Sequence, residues 1–209
     1  MTHVLCSLLS IERCSGSDTY VGWEVSDRAH DGTPNNQHIF ITTREFKCHG
    51  VVTQWRYWPA RSVPFKAMVL RKVHGSDDTK YNIVGINAIP DGAIDQSLIY
   101  QVPDNERITV QIGDVMGFAW NSPAVKHSQN RDNTGDTEDI YLITYITDPM
   151  TNLRVNDTLV PYQNITRAYS IQAVLSGRLK RFMMMNGILS CIYYAYKNNS
   201  SEINYCHGI

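Results

Sequence analysis

Histidine, serine and acidic side chains supply most catalytic chemistry, but their spacing in this sequence matches no familiar catalytic pattern. None of the 7 His residues belongs to an HExxH pair, and no Gly-x-Ser-x-Gly elbow presents a nucleophile. His127 stands beside Ser128, yet sequence neighbours rarely reach the geometry of a base and its nucleophile. We therefore predict no catalytic residues and a protein that is not an enzyme.

One acidic loop has the residue types that bind calcium. Asp132, Thr134, Asp136 and Glu138 present oxygen atoms at alternate positions around Gly135, and Ca²⁺ prefers oxygen ligands. In an EF-hand loop the glycine follows the third ligand, whereas here it precedes that ligand. A solvated acidic loop is the simpler interpretation. We predict no cofactor and keep calcium as a minor alternative.

The strongest candidate for ligand binding is an aromatic strand that ends at Pro59. Its side chains alternate between two faces, and we predict that Trp55 and Tyr57 enter the core while Arg56 and Trp58 point outward. An outward Trp beside a strand-ending Pro should lie near a sheet edge, where it can stack on a sugar ring or anchor a protein. A Trp covered by a neighbouring loop is the alternative.

Cysteines and glycosylation sequons suggest the cellular compartment. The 5 Cys residues include no CxxC pair, so they fit a secreted chain with disulfides better than a zinc site. Cys14 and Cys48 flank the early strands and are our first choice of pair, although the connectivity stays open. Asn156, Asn164, Asn198 and Asn199 are candidate glycosylation sites, as the Asn of Asn-x-Ser/Thr triplets. We expect an extracellular protein whose signal peptide is absent or truncated in this sequence.

Charge argues against a nucleic-acid partner, and hydropathy disfavours a membrane one. The net charge is −1, and no basic stripe exists for a phosphate backbone to follow, so we predict no nucleic-acid partner. The apolar tail between Arg178 and Tyr196 is shorter than the roughly twenty residues of a membrane span. We therefore expect an extracellular protein or a glycan as the partner.

Alternating polar and apolar residues predict an all-β fold. Ile108, Val110 and Ile112 alternate with polar residues, which predicts a strand with these three side chains inside. Gly113-Asp114 should then turn the chain into a second strand of a hairpin, with Asp114 bonding its own backbone. The same pattern recurs and predicts an antiparallel β-sandwich or jelly roll of about ten strands. We place the sandwich at residues 20–175, after an N-terminal segment (1–19) and before a C-terminal extension (176–209) that includes a short helix as one option.

Two further segments carry a resemblance. The sequence reads Phe-Lys-Cys-His-Gly-Val-Val-Thr-Gln-Trp at 46–55, and Arg-Ile-x-Val-x-x-Gly-Asp-Val-x-Gly-Phe at 107–118. With Val102-Pro103 between them and Arg167–Ala173 as a closing strand, this order resembles uncharacterised extracellular domains of large marine invertebrate proteins. The resemblance implies a secreted β-sandwich for adhesion or recognition.

These observations favour a non-catalytic extracellular recognition or adhesion module. A carbohydrate-binding, lectin-like domain and a component of a structural matrix are the alternatives. A hydrolase on a jelly-roll scaffold is the least favoured.

Overall fold

The computed structural model describes residues 14, 19–30, 38–73, 75, 79–128 and 139–176. These residues form short strands and one helical turn, α1 (Pro149–Asn152). The strands are β1 (Tyr20–Gly22), β2 (His38–Glu45), β3 (Gly50–Tyr57), β4 (Phe65–Lys72), β5 (Tyr81–Ile89), β6 (Leu98–Gln101), β7 (Thr109–Val110), β8 (Val115–Ala119), β9 (His127–Ser128), β10 (Asp139–Tyr145), β11 (Thr158–Leu159), β12 (Gln163–Tyr169) and β13 (Ile171–Ser176).

The strands form two antiparallel sheets that pack against each other, which confirms the predicted all-β sandwich. The five-stranded sheet has the order β1-β13-β3-β6, with β7 also paired to β3. The eight-stranded sheet has the order β11-β5-β4-β8-β2-β10-β12-β9. The chain passes between the sheets at Ser170, where β12 of one sheet continues into β13 of the other.

Aromatic side chains dominate the core between the sheets. The largest fully buried ones are Phe40, Phe46, Trp55, Phe65, Phe118, Trp120, Tyr141 and Tyr169. The indole nitrogen of Trp55 donates a hydrogen bond to Asn87 Oδ1 at 2.8 Å. Asn87 Nδ2 in turn donates to the Glu106 carbonyl at 2.9 Å. A buried amide thereby links β3 of one sheet to β5 of the other.

A second apolar cluster lies on the opposite side of the eight-stranded sheet. Its strand residues are Ile39, Ile41, Met68, Leu70, Tyr81, Ile83, Val115 and Ala119. Leu153 and Leu159, from the segment that contains α1 and β11, pack on this cluster and are themselves buried. The central strands of this sheet are therefore apolar on both faces, as expected for strands that are covered on both sides.

The predicted hairpin is wrong. β7 pairs with β3 in the five-stranded sheet, whereas β8 pairs with β2 and β4 in the other sheet. The segment around Gly113 therefore crosses from one sheet to the other. Ile108 and Val110 are buried as predicted, but Ile112 is 45% exposed because it follows the end of β7.

A β-bulge changes the predicted faces of β3. The register with β13 shifts between Val174 and Leu175, which pair with Gln54 and Val52, so Thr53 is the extra residue. Trp55 and Tyr57 are buried, as predicted. Before the bulge the phase is reversed: alternation continued back from Trp55 would bury Val51, but Val52 enters the core instead. A bulge inserts one residue and so interrupts the period of two on which the prediction relied.

Asp114 bonds its own backbone, as predicted, and also holds an ion pair. Its Oδ2 accepts a hydrogen bond from the Gln111 N–H at 2.9 Å. The two carboxylate oxygens also accept bonds from Arg71 Nε and Nη2, at 2.8 and 2.9 Å. The hydrogen bond with Asp114 raises the pKa of Arg71 above its ordinary value. Asp114 is fully buried, whereas Arg71 is partly exposed. Because Arg71 belongs to β4, this ion pair fixes the segment around Gly113, which crosses between the sheets, against β4.

Asp114→Ala should lower the free energy of unfolding by roughly 2–3 kcal/mol, because it removes both a charge-assisted pair and the acceptor for Gln111 N–H. Asp157 is the matched control, since its Oδ2 accepts a bond from the backbone N–H three residues earlier, at the exposed Arg154. Asp157→Ala should cost less than about 1 kcal/mol. Urea unfolding of both variants measures the difference, and equal losses would mean that the Arg71 pair adds nothing.

The Cys14–Cys48 disulfide is confirmed, with a Cα–Cα distance of 4.9 Å. Both residues belong to the core between the sheets. Residues 1–13 and 177–209 lie outside the described part of the chain, so the boundaries of the N-terminal segment and of the C-terminal extension remain predictions.

Candidate functional site

The strongest candidate site is the outer surface of the five-stranded sheet. We name it the Arg56 face and define it by Tyr20, Gln54, Arg56, Trp58, Ile99, Gln101, Gln172 and Val174. The strand register gives one row of Tyr20, Val174, Gln54 and Gln101, and a second row of Gln172, Arg56 and Ile99. The intervening residues of each strand point the other way, into the core.

The Arg56 face combines one cation with aromatic, aliphatic and amide side chains. The guanidinium carbon of Arg56 lies 5.4 Å from the centre of the Tyr20 ring, a cation–π distance. Tyr20 is 43% exposed and Ile99 is 55% exposed, so both offer apolar area to a partner. The amides of Gln101 and Gln172 can donate and accept hydrogen bonds, whereas Gln54 can only donate because its Oε1 is shielded.

Three polar atoms of this face lack a hydrogen-bond partner: Gln54 Oε1, Arg56 Nε and Trp58 Nε1. Each is shielded from solvent although its side chain is only half-buried. Because these three atoms have almost no accessible surface, a ligand on this face would contact the exposed side chains around them and not the three atoms themselves. The indoles of Trp23 and Trp120 elsewhere also have unpartnered nitrogens. The case for the Arg56 face therefore rests on its exposed Tyr20 and Ile99 side chains beside Arg56.

Trp58 is half-buried, as predicted, but the pairing does not end at Pro59. Its N–H donates to the Ser170 carbonyl at 3.0 Å, and its carbonyl accepts from the Lys126 N–H at 3.0 Å. Pro59 then forms an antiparallel bridge with Val125. The pairing thus continues along the chain past Trp58, because Pro59 meets its neighbour without needing an N–H of its own.

The His127-Ser128 pair forms β9 instead of a loop, and both residues are buried. The His127 ring stacks on His30, with centroids 5.1 Å apart, and lies 5.2 Å from the Tyr169 ring. Ser128 Oγ accepts a hydrogen bond from Arg28 Nη1 at 3.2 Å. Neighbouring strand residues point to opposite faces, so this arrangement serves packing and not a nucleophile with its base.

The other predicted sites fall on different parts of the chain. Asp132, Asp136 and Glu138, the weak calcium candidates, lie outside the described residues. Within the described ranges, no three His, Cys, Asp or Glu residues are grouped so that they could hold a metal ion.

The four sequons divide between described and undescribed residues. Asn156 and Asn164 are exposed, whereas Asn198 and Asn199 fall beyond the described region. N-glycosylation requires an exposed Asn side chain, and Asn156 and Asn164 meet this requirement. Among the residues with described structure, no helix has the length and apolar character to span a membrane.

Sequence reasoning identified Arg56 and Trp58 but not their neighbours on the Arg56 face. Tyr20 and Gln172 reach Arg56 only because β13 lies between β1 and β3. Alternation shows which residues share a face of one strand, but it does not show which strands pair.

Comparison with known proteins finds no matching family model, no similar curated protein and no similar solved structure.

Proposed function

We propose that this chain is a non-catalytic extracellular module for recognition or adhesion, and that it binds its ligand on the Arg56 face. The observation that carries the proposal is the grouping of the exposed Tyr20 and Ile99 side chains around Arg56 on one surface. Central aromatic and Arg side chains are the residues that contribute most to protein interfaces.

The buried Cys14–Cys48 disulfide supports the extracellular part of the proposal. Disulfides persist in oxidising compartments and are rare in the cytosol. The exposed sequons at Asn156 and Asn164 are compatible with the same compartment. The resemblance of residues 46–55 and 107–118 to extracellular domains agrees with this location.

A glycan is the alternative ligand that the Arg56 face favours. Sugar rings stack their C–H faces on aromatic rings, and their hydroxyls exchange hydrogen bonds with amides. Trp58 and Tyr20 supply the rings, and the three Gln side chains of the face supply the amides. A matrix component would instead use the same surface for a protein partner. A jelly-roll hydrolase remains the least favoured alternative, which labelling with a covalent active-site probe addresses.

The experiment is an array of immobilised glycans and extracellular matrix proteins probed with the full chain. Trp58→Ala should weaken binding to any ligand found there by on the order of 1–3 kcal/mol, or about 5- to 150-fold. Because the Trp58 ring is half-buried, the variant should also lose roughly 1–2 kcal/mol of stability.

Trp23→Ala is the matched control. Trp23 is another half-buried Trp with an unpartnered indole nitrogen, but its ring contacts Arg44 of β2, at 3.9 Å from the guanidinium carbon. Trp23→Ala should lose similar stability and keep full affinity. Equal loss of affinity in both variants would contradict binding on the Arg56 face, as would the absence of any ligand on the array.

A further inference from the structure

An open groove of about 480 Å³ lies on the outer surface of the eight-stranded sheet. The Arg56 face belongs to the other sheet, the five-stranded one. Leu142, Val160, Tyr162 and Asn164 are among the residues that line it. Val160 is 48% exposed and Tyr162 is 58% exposed, so the wall beside Asn164 offers apolar surface. The groove therefore contains one of the candidate glycosylation sites and an exposed aromatic ring.

The groove brings the aromatic ring of Tyr162 and the sequon of β12 together. Asn164 and Thr166 lie two residues apart in β12, and both are exposed. Tyr162 lies just before β12, and its N–H donates at 3.0 Å to the carbonyl of Ile143, the residue that already pairs with Gln163, so a bulge interrupts the alternation between Tyr162 and Asn164. Alternate residues of a strand share a face and are about 6.5–7 Å apart. Alternation thus sets the glycosylation acceptor Asn164 and the Thr166 hydroxyl in one row, and the Tyr162 ring lies near them because it lines the same groove as Asn164.

We propose that Asn164 is N-glycosylated and that the first N-acetylglucosamine of the glycan packs against Tyr162 in this groove. In the reaction, Asn164 Nδ2 bonds to the anomeric carbon of an oligosaccharide carried on a lipid diphosphate. The amide nitrogen loses a proton and the lipid diphosphate leaves. The flat C–H face of the sugar then covers apolar surface of Tyr162 and Val160 that is otherwise exposed to water.

The inference rests on the extracellular location in the proposed function, and it adds an orientation to the domain. Asn156 follows Leu153, which packs on the apolar cluster of the same eight-stranded sheet. Glycans at Asn156 and Asn164 would both extend from this side, away from the Arg56 face. A partner would then meet the Arg56 face without interference from either glycan.

The test uses the full chain, secreted from glycosylating eukaryotic cells behind an added leader peptide. Glycopeptide mass spectrometry should find Asn164 occupied. Thr166→Ala, which removes the sequon, should lower the melting temperature by about 2–4 °C, the change expected for about 1 kcal/mol in a domain of this size. The same two proteins are also made without glycans in the bacterial periplasm. The difference between their melting temperatures measures the effect of the Thr166 substitution itself and is subtracted.

Variants of Tyr162 show whether the ring is responsible. In a Tyr162→Ala background the glycan-dependent shift should fall below about 1 °C. Tyr162→Phe keeps the ring but loses the hydrogen bond between the Tyr162 hydroxyl and His38 Nε2, and the glycan-dependent shift should remain. Asn156→Gly is the control for a glycan outside the groove, because Gly tolerates the positive φ of 74° at that residue. It should cause no glycan-dependent shift.

An unoccupied Asn164 would overturn the proposal. The proposal would also be overturned if the glycan did not raise the melting temperature of the unsubstituted chain. The same holds if the glycan still raised the melting temperature in the Tyr162→Ala background. The added leader makes these outcomes independent of the natural location. Ligand binding by the glycan-free bacterial protein tests the Arg56 face separately.

Discussion

Trp55→Ala should lower the free energy of unfolding by roughly 3–5 kcal/mol from the lost packing alone, and a further 1–3 kcal/mol from a broken hydrogen bond. Trp55 is fully buried near the middle of the five-stranded sheet. Removing its indole leaves a large cavity and takes away the donor that Asn87 Oδ1 accepts from at 2.8 Å. A loss of this size is comparable to the whole stability of many domains.

Trp55→Phe separates the two contributions. It keeps most of the apolar volume but removes the N–H, so Asn87 Oδ1 is left without its donor in the core. We expect a loss of about 1–3 kcal/mol, mainly from that unpaired oxygen. Urea denaturation followed by fluorescence and circular dichroism measures both variants. A loss below about 1 kcal/mol for Trp55→Ala would contradict the assignment of β3 to the centre of the core.

Removal of the Cys14–Cys48 disulfide should cost about 3–4 kcal/mol in the chain-entropy model, because the bond closes a loop between residues 34 apart in sequence. The two cysteines are also buried, so a Ser at either position places a hydroxyl in the core. We expect the double variant Cys14→Ser/Cys48→Ser to unfold at a clearly lower urea concentration than the unsubstituted protein.

The reducing agent dithiothreitol provides the control for this prediction. It should lower the unfolding midpoint of the unsubstituted protein toward that of the double variant, and it should leave the double variant unchanged. If reduction and substitution both leave the midpoint where it was, the disulfide does not stabilise the fold. If the double variant also responds to reduction, another disulfide contributes.

The sequence predicted the class of fold because alternation reports directly on burial. Trp55, Tyr57, Ile108 and Val110 all enter the core, as their patterns indicated. The Cys14–Cys48 pair was predicted from its position beside the early strands. Each of these inferences needs only local information: which side chains are apolar and where a strand begins.

The connections between strands could not be predicted in the same way. A Gly-Asp turn between two alternating segments is the pattern of a hairpin, yet here Asp114 binds Arg71 of β4 and the chain changes sheets. One bulge lies at Thr53, and another lies in β5 between Ile83 and Gly85, which pair with Leu70 and Val69. Both shift the phase of alternation without any local signal in the sequence. Long-range pairing decides these features.

The candidate site shows the same division. Arg56 and Trp58 were found because their own strand has two unlike faces. The contact between Arg56 and Tyr20 depends on the order of three strands, and the unpartnered oxygen of Gln54 depends on packing. A single sequence contains neither kind of information in a local pattern.

The most direct test of ligand binding on the Arg56 face compares two exposed isoleucines. Ile99 of β6 lies on the Arg56 face and is 55% exposed, whereas Ile140 of β10 lies in the eight-stranded sheet and is 49% exposed. Ile99→Glu and Ile140→Glu make the same chemical change at nearly equal exposure, so both should leave the fold intact. We predict that Ile99→Glu weakens binding to the ligand found on the array by at least about tenfold, and that Ile140→Glu binds like the unsubstituted protein. Loss of binding in Ile140→Glu with full binding in Ile99→Glu would contradict the account and assign recognition to the other sheet.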